Sequence, residues 1–237
     1  MINLEMQVNK TPAGLYIVTY GRKEVPLNEQ EAAFAVHDLH TVFPAELGFL
    51  RVQGPKGAFD PYSRTNADVF YDDRNNKVVI VPNEAISEQV GIANLVDAHR
   101  QNKEYVIPKN QRDLVYAVVD EMLRKGTAFT ANHGQTNIPV SELGQTELTS
   151  KLFSDVRLGI EAQNYGDWLE EQGRASQSMF FDVADHAKSQ KGPYLNRLRV
   201  YGPVLDFGVF GILRDLDYYF GAFGVRFEKT AEVGAKK

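Results

Sequence analysis

Two histidines in the first third of the chain have the spacing of a pair of metal ligands. His37 and His40 stand three residues apart in a stretch whose apolar periodicity predicts a helix, and residues at that separation share one helix face. Imidazole nitrogens are frequent ligands of zinc, so the pair favours a metal-dependent hydrolase or nuclease. A site needs a further ligand that the sequence does not identify, and an exposed histidine pair is the alternative interpretation.

Arginines near the carboxyl end form a second candidate group. Arg197 and Arg199 lie on one face of a predicted strand, Arg226 lies on another strand, and Arg214 lies in a predicted turn. With neighbouring tyrosines, they would form a surface for phosphate or single-stranded nucleic acid. The alternative is pairing with carboxylates, which the formal net charge of -5 favours over nucleic-acid binding.

The densest aromatic and glycine stretch is "GVFGILRDLDYYFGAFGVRFEK", residues 208–229. We predict a hairpin here, with strands at 208–213 and 218–228. The second strand is apolar on both faces for most of its length, so it has to be covered on both sides, by the chain's own elements or by another subunit. The predicted interface residues are Tyr218, Tyr219, Phe220, Phe223 and Phe227.

Several kinds of chemistry are missing from the sequence. The chain has no cysteine, which excludes disulfides, thiolate nucleophiles and cysteine-ligated metal centres. It has neither a phosphate-binding loop nor a dinucleotide-binding glycine pattern. We therefore predict no cofactor, and the sequence does not decide whether the chain is an enzyme.

The composition is that of an ordinary globular protein, with 43% hydrophobic and 24% charged residues. No apolar run approaches the length that spans a bilayer, so we predict no membrane partner. We expect a soluble chain located in the cytoplasm or within an assembled particle.

Strand patterns occupy both ends of the chain, and helical patterns occupy its middle. Alternating apolar residues predict an N-terminal hairpin and a second hairpin turned at 73–76. A helix over 28–43 ended by Pro44, a strand over 47–54 and a well-capped helix over 111–125 are also predicted. We therefore predict an α+β fold, in which terminal hairpins form one mixed or antiparallel sheet or sandwich around a helical insertion.

The same patterns divide the chain into four parts. We predict a β-rich part with one helix at 1–82, a helical insertion at 83–190, C-terminal strands at 191–229 that complete the N-terminal sheet, and a flexible tail at 230–237. The polar segment 127–147 has no clear period and is interpreted as a lid, an arm or a disordered segment.

Taken together, these features favour a structural or assembly protein. Its copies would associate with one another, or with a protein partner, through the C-terminal aromatic strands. A subunit of a phage-like or other large particle fits this description. The alternatives are a metal-dependent hydrolase or nuclease and a nucleic-acid-binding module.

Overall fold

The computed structural model of the chain describes residues 7–11, 14–20, 27–56, 58–59, 63–100, 105–181, 192–200, 208–210 and 222–228. These residues form an α+β fold, as the sequence predicts. The strands are β1 (Gln7–Thr11), β2 (Gly14–Tyr20), β3 (His40–Thr41), β4 (Ser63–Asp72), β5 (Lys77–Val81), β6 (Tyr105–Val106), β7 (Phe129–Ala131), β8 (Gly134–Pro139), β9 (Ser176–Phe181), β10 (Tyr194–Val200), β11 (Gly208–Phe210) and β12 (Phe223–Glu228). The helices are α1 (Leu27–Val36), α2 (Pro44–Gln53), α3 (Ala85–Val90), α4 (Ile92–Arg100), α5 (Lys109–Lys125), α6 (Glu147–Phe153) and α7 (Ala162–Glu171).

The smaller sheet joins the two ends of the chain. Its strand order is β1-β2-β12-β3, and β12 pairs antiparallel with β2, with Phe223 opposite Tyr20. Alternate residues of these strands pack inward, including Tyr16, Val18 and Val225. The predicted pairing of N-terminal and C-terminal strands is therefore confirmed.

The larger sheet runs in the order β7-β5-β4-β10-β11-β9-β8, and β6 also pairs with β10. Only Asn132 and His133 separate its two outer strands, β7 and β8, along the chain. A link of this length spans at most about 11 Å, so the sheet curls and brings its two edges near each other. The polar segment 127–147 thus contains two strands of this sheet and a short 3-10 helix at Val140–Glu142.

Both faces of strands β4 and β5 of the larger sheet are buried. On β4, Val69 and Tyr71 face a core that also contains residues of α2, α6 and α7, whereas Phe70 faces a second core built with α3, α4 and α5. The same alternation on β5 places Ile80 in the first core and Val79 in the second. This arrangement explains why several strands are apolar on both sides.

The predicted C-terminal hairpin is wrong. Strand β11 lies in the larger sheet between β10 and β9, while β12 lies in the smaller sheet between β2 and β3. Residues 211–221, which join them in sequence, lie outside the described residues. Two neighbouring segments with strand periodicity can join different sheets, because the pattern specifies the faces of a strand and not its partners.

The predicted strand over 47–54 is also wrong, because α2 spans Pro44–Gln53. Pro44 begins this helix, since a proline in the first turn sacrifices no helical hydrogen bond. The carboxylate of Glu46 accepts the backbone N–H of Phe43 at 2.9 Å, which stabilises the same end. Helix α1 ends earlier than predicted, at Val36.

Glycines divide the helices of the middle segment. Helix α5 covers the predicted helix over 111–125, begins two residues earlier at Lys109, and is closed by Gly126 at a φ of 70°. Gly91, at a φ of 84°, separates α3 from α4, and Gly159 lies between α6 and α7. The middle segment also contributes β6, β7, β8 and β9 to the larger sheet. None of the described helices has the length and apolar character required to cross a membrane.

Gly224 of β12 allows α1 to pack closely on the smaller sheet, and a side chain there is expected to destabilise the fold. A Cβ at Gly224 would lie 2.6 Å from Cδ1 of the fully buried Phe34. We expect Gly224→Ala to lower the free energy of unfolding by about 1–3 kcal/mol, because the ring or the helix must move. Urea denaturation measures the change.

Gly48→Ala is the matched control for this substitution. The Cβ at Gly48 would meet the Phe153 ring at an ordinary 3.6 Å. Because alanine favours a helix over glycine, we expect this variant to be neutral or up to about 1 kcal/mol more stable. Equal stability of the two variants would contradict the close packing of α1 on β12.

Candidate functional site

Arg197 lies at the centre of a buried charge cluster. It stands on β10 directly opposite Asp68 of β4, and only 1% of its side chain is exposed. Its Nη1 donates to Asn66 Oδ1 at 2.6 Å, and its Nη2 lies 3.1 Å from Glu84 Oε2 and 3.4 Å from Glu31 Oε1. Arg197, Asp68, Glu31 and Glu84 are called the Arg197 cluster below.

Each carboxylate of the Arg197 cluster comes from a different element. Glu31 belongs to α1 and accepts a hydrogen bond from Thr41 Oγ1 at 3.4 Å, and Glu84 directly precedes α3. Asp68 Oδ2 accepts the backbone N–H groups of Ile86 and Ser87 at 2.9 and 2.8 Å. Asp68 therefore satisfies the first turn of α3 from a neighbouring strand, as a capping side chain would. The cluster joins α1, α3, β4 and β10.

Three carboxylates surround one guanidinium in this cluster. Burial raises the pKa of Glu31, and Arg197 counteracts that effect, whereas the carboxylates of Glu84 and Asp68 add to it. Burial also opposes the charge of Arg197, but the neighbouring carboxylates raise its pKa above the usual range. Burial raises the pKa of Asp68 as well, against the lowering effects of Arg197 and of the N–H groups of Ser87 and Ile86, so buried excess charge disfavours ionisation of both Glu31 and Asp68.

The predicted phosphate-binding arginines have different surroundings. The sequence predicts Arg197 on an exposed strand face. This prediction is wrong, because carboxylates enclose the buried guanidinium of Arg197. Arg226 is partly exposed, and its Nη1 lies 3.4 Å from Asp38 Oδ2 and from the carbonyl oxygen of His37. The side chain of Arg199 and all of Arg214 lie outside the described residues. The alternative interpretation, pairing with carboxylates, thus applies to both arginine side chains that the structure describes, Arg197 and Arg226.

His37 and His40 lie on different elements, so the prediction that they share one helix is wrong. Helix α1 ends at Val36, and Asp38 turns the chain at a φ of 56°. His37 is exposed in that turn, whereas His40 begins β3 and its Nε2 lies 2.9 Å from both carboxylate oxygens of the buried Glu46. In the part of the chain that the structure describes, no three histidine, aspartate or glutamate side chains form a metal-binding group.

The described part of the C-terminal aromatic strand lies in the protein interior. Phe223 is buried, with its ring 4.7 Å from that of Tyr20 and 5.4 Å from that of Phe59. Phe227 is half-buried and packs against Phe49. The predicted interface residues Tyr218, Tyr219 and Phe220 lie outside the described residues. For β12 itself, the chain's own elements provide the cover that its apolar faces require.

Strand β1 forms the outer edge of the smaller sheet. It pairs with β2, with Thr11 opposite Gly14 and Val8 opposite Ile17, and no other described strand pairs with it. In an antiparallel ladder, hydrogen-bonded pairs alternate with pairs whose N–H and C=O groups point outward. Thr11 and Gly14 close the hairpin as a hydrogen-bonded pair, and Asn9 with Tyr16 is the next such pair. The backbone N–H and C=O groups of the alternate residues, Val8 and Lys10, therefore point away from β2. The Val8 side chain is 65% exposed.

Comparisons with protein-family models, with curated proteins and with solved structures give no match for this chain.

The sequence analysis missed the carboxylate partners of Arg197 and the open edge at β1. One signal for the partners exists in the sequence, since Asp68 interrupts the otherwise apolar run "ADVFY" of a predicted strand. A charged residue in such a run needs a buried partner. Glu31 and Glu84 carry no comparable signal, because both lie among other polar residues at helix starts.

Replacing Glu31 with glutamine is expected to remove a pH dependence of stability. A carboxyl whose folded pKa is raised stabilises the fold fully below its unfolded pKa of about 4.3, and this contribution is lost as pH rises through the folded value. Glu31→Gln keeps an oxygen for Thr41 and Arg197 but cannot ionise. We expect the stability of the variant, relative to the natural protein, to increase as pH rises above about 4.3.

Urea denaturation between pH 4 and 8 measures this difference. Glu29→Gln is the matched control, because Glu29 is exposed on the same helix. A stability difference for Glu31→Gln that is independent of pH, or that shrinks as pH rises, would refute the raised pKa of Glu31.

Proposed function

We propose that this chain is a structural, assembly-type protein whose copies join through the outer edge of β1. This edge carries the proposal: among the described strands only β2 pairs with β1, and the N–H and C=O groups of Val8 and Lys10 point outward beside an exposed valine side chain. Such an edge is a template for another strand. The proposal keeps the self-association expected from the sequence, but moves it from the aromatic strand β12 to β1.

A second copy of the chain fits this edge, because an antiparallel strand pair is self-complementary about a two-fold axis. The register centred on Asn9 pairs Val8 of each copy with Lys10 of the other and overlaps all five residues of the strand. The product is a continuous eight-stranded sheet made from two four-stranded ones.

The Arg197 cluster supports a structural role over phosphate chemistry. Its guanidinium is held by Asn66, Glu31 and Glu84 and lies beside Asp68, so a phosphate would have to displace buried carboxylates to reach it. The cluster instead joins α1, which packs on the smaller sheet, to the larger sheet. The cluster thereby connects the larger sheet, through α1, to the smaller sheet whose outer strand is β1.

A proline at position 8 is expected to disrupt this association. Val8→Pro removes the outward N–H but no hydrogen bond to β2, and proline is tolerated on edge strands. We expect its dimer dissociation constant to be at least about fivefold higher than that of the natural protein, because the Asn9-centred register loses two intermolecular hydrogen bonds, each worth about 0.5–1.5 kcal/mol. Sedimentation equilibrium over a wide concentration range measures the constant.

Val8→Thr is the control, since it retains the N–H and a β-branched side chain. We expect it to associate more strongly than Val8→Pro, and circular dichroism should show that both variants keep the natural fold. A natural protein that stays monomeric at millimolar concentration would refute the proposed function. Equal weakening by the two substitutions would refute backbone pairing at β1.

A further inference from the structure

Helix α1 carries a carboxylate on its buried face. Leu27, Glu31 and Phe34 are spaced by four and three residues, so their side chains share one face of the helix. Leu27 and Phe34 are fully buried in the second core, with residues of the larger sheet and of α3, α4 and α5. Between them, Glu31 reaches the Arg197 cluster, and its side chain is only 17% exposed. The apolar contacts that hold α1 in place therefore also bury an ionisable group.

The positive charge opposite Glu31 is shared with two other carboxylates. Arg197 Nη2 lies 3.4 Å from Glu31 Oε1 but 3.1 Å from Glu84 Oε2, and Arg197 Nε lies 3.5 Å from Asp68 Oδ1. Thr41 of β3 contributes only a hydroxyl group. One guanidinium thus faces three carboxylates, so ionisation of Glu31 moves the cluster further from neutrality.

We infer that α1 is a proton-dependent lid on the larger sheet, which stays closed while Glu31 is protonated and opens more often once Glu31 is ionised. The Glu31 carboxylate recovers full hydration only when the buried face of α1 leaves the core. The two sheets can stay intact during this opening, since β2 pairs with β12, and β4 with β10, through their own backbones. Helix α4 also contacts α1, but its Asp97 is exposed and adds no buried charge.

The direction of the pH effect follows from the two states of Glu31. Burial raises the pKa of Glu31 in the closed form, whereas an exposed glutamate titrates near about 4.3. Between these two values the open form releases a proton that the closed form keeps, so the opening equilibrium constant rises by up to about tenfold per pH unit. Above the folded pKa the constant no longer changes. Opening exposes Leu27 and Phe34, so the closed form predominates at every pH and ionisation changes only how often α1 opens.

Hydrogen exchange of the backbone amides of residues 31–36 measures this opening, because these N–H groups donate within α1. Exchange is followed between pH 4 and 8 and expressed as protection factors, which remove the intrinsic effect of pH on exchange. In the natural protein, we expect the protection of α1 to stay below that of β10 and to fall at least about fivefold as pH rises over this range. Glu31→Gln should abolish the fall, and Glu29→Gln, exposed on the same helix, should keep it.

Two results would overturn the inference. Equal protection of α1 and β10 at every pH would mean that α1 opens only in global unfolding, and the natural protein alone tests this point. A fall in protection that persists in Glu31→Gln would assign the proton linkage to another group. The lid goes beyond the proposed function and involves a single chain, so repeating the exchange in Val8→Pro, which weakens association at β1, keeps the two proposals separate.

Discussion

The arrangement of the two sheets depends on burying the charge of Arg197 among carboxylates. A guanidinium with 1% exposure is tolerated only where charges and hydrogen-bond acceptors surround it, and these acceptors come from β4, α1 and the start of α3. Removing one partner from such a group typically costs about 3–5 kcal/mol. The positions of α1 and α3 relative to the larger sheet are therefore fixed together.

The smaller sheet joins the two ends of the chain. Strand β2, from one end, pairs with β1 and also with β12 from the other end. Helix α1 connects this sheet to the Arg197 cluster, with Phe34 packed on Gly224 and Gln30 accepting the backbone N–H of Ala222 at 3.0 Å. Long-range pairing of this kind slows folding, because the loop-closure entropy of bringing the two ends together is lost before their contacts stabilise the chain.

The described aromatic side chains of β12 lie apart from the edge strand at which we propose self-association. Phe223 fills the interior with Tyr20 and Phe59, and its exposure is too small for a docking role. The proposed self-contact instead uses the backbone of β1, an edge strand that carries the exposed side chain of Val8.

The amino-acid sequence by itself determined the fold class, the two early hairpins and the helix over 109–125, because side-chain periodicity and local caps encode them. It also contains, at Asp68, an unused signal that a buried charge requires a partner, and at Pro44 and Glu46 a local signal for a helix start that was interpreted wrongly. Tertiary structure alone decided that β11 and β12 lie in different sheets and that Glu31 and Glu84 meet Arg197. These features arise from contacts between residues far apart in the sequence, such as Leu15 with Glu228 and Glu31 with Arg197, which no local pattern records.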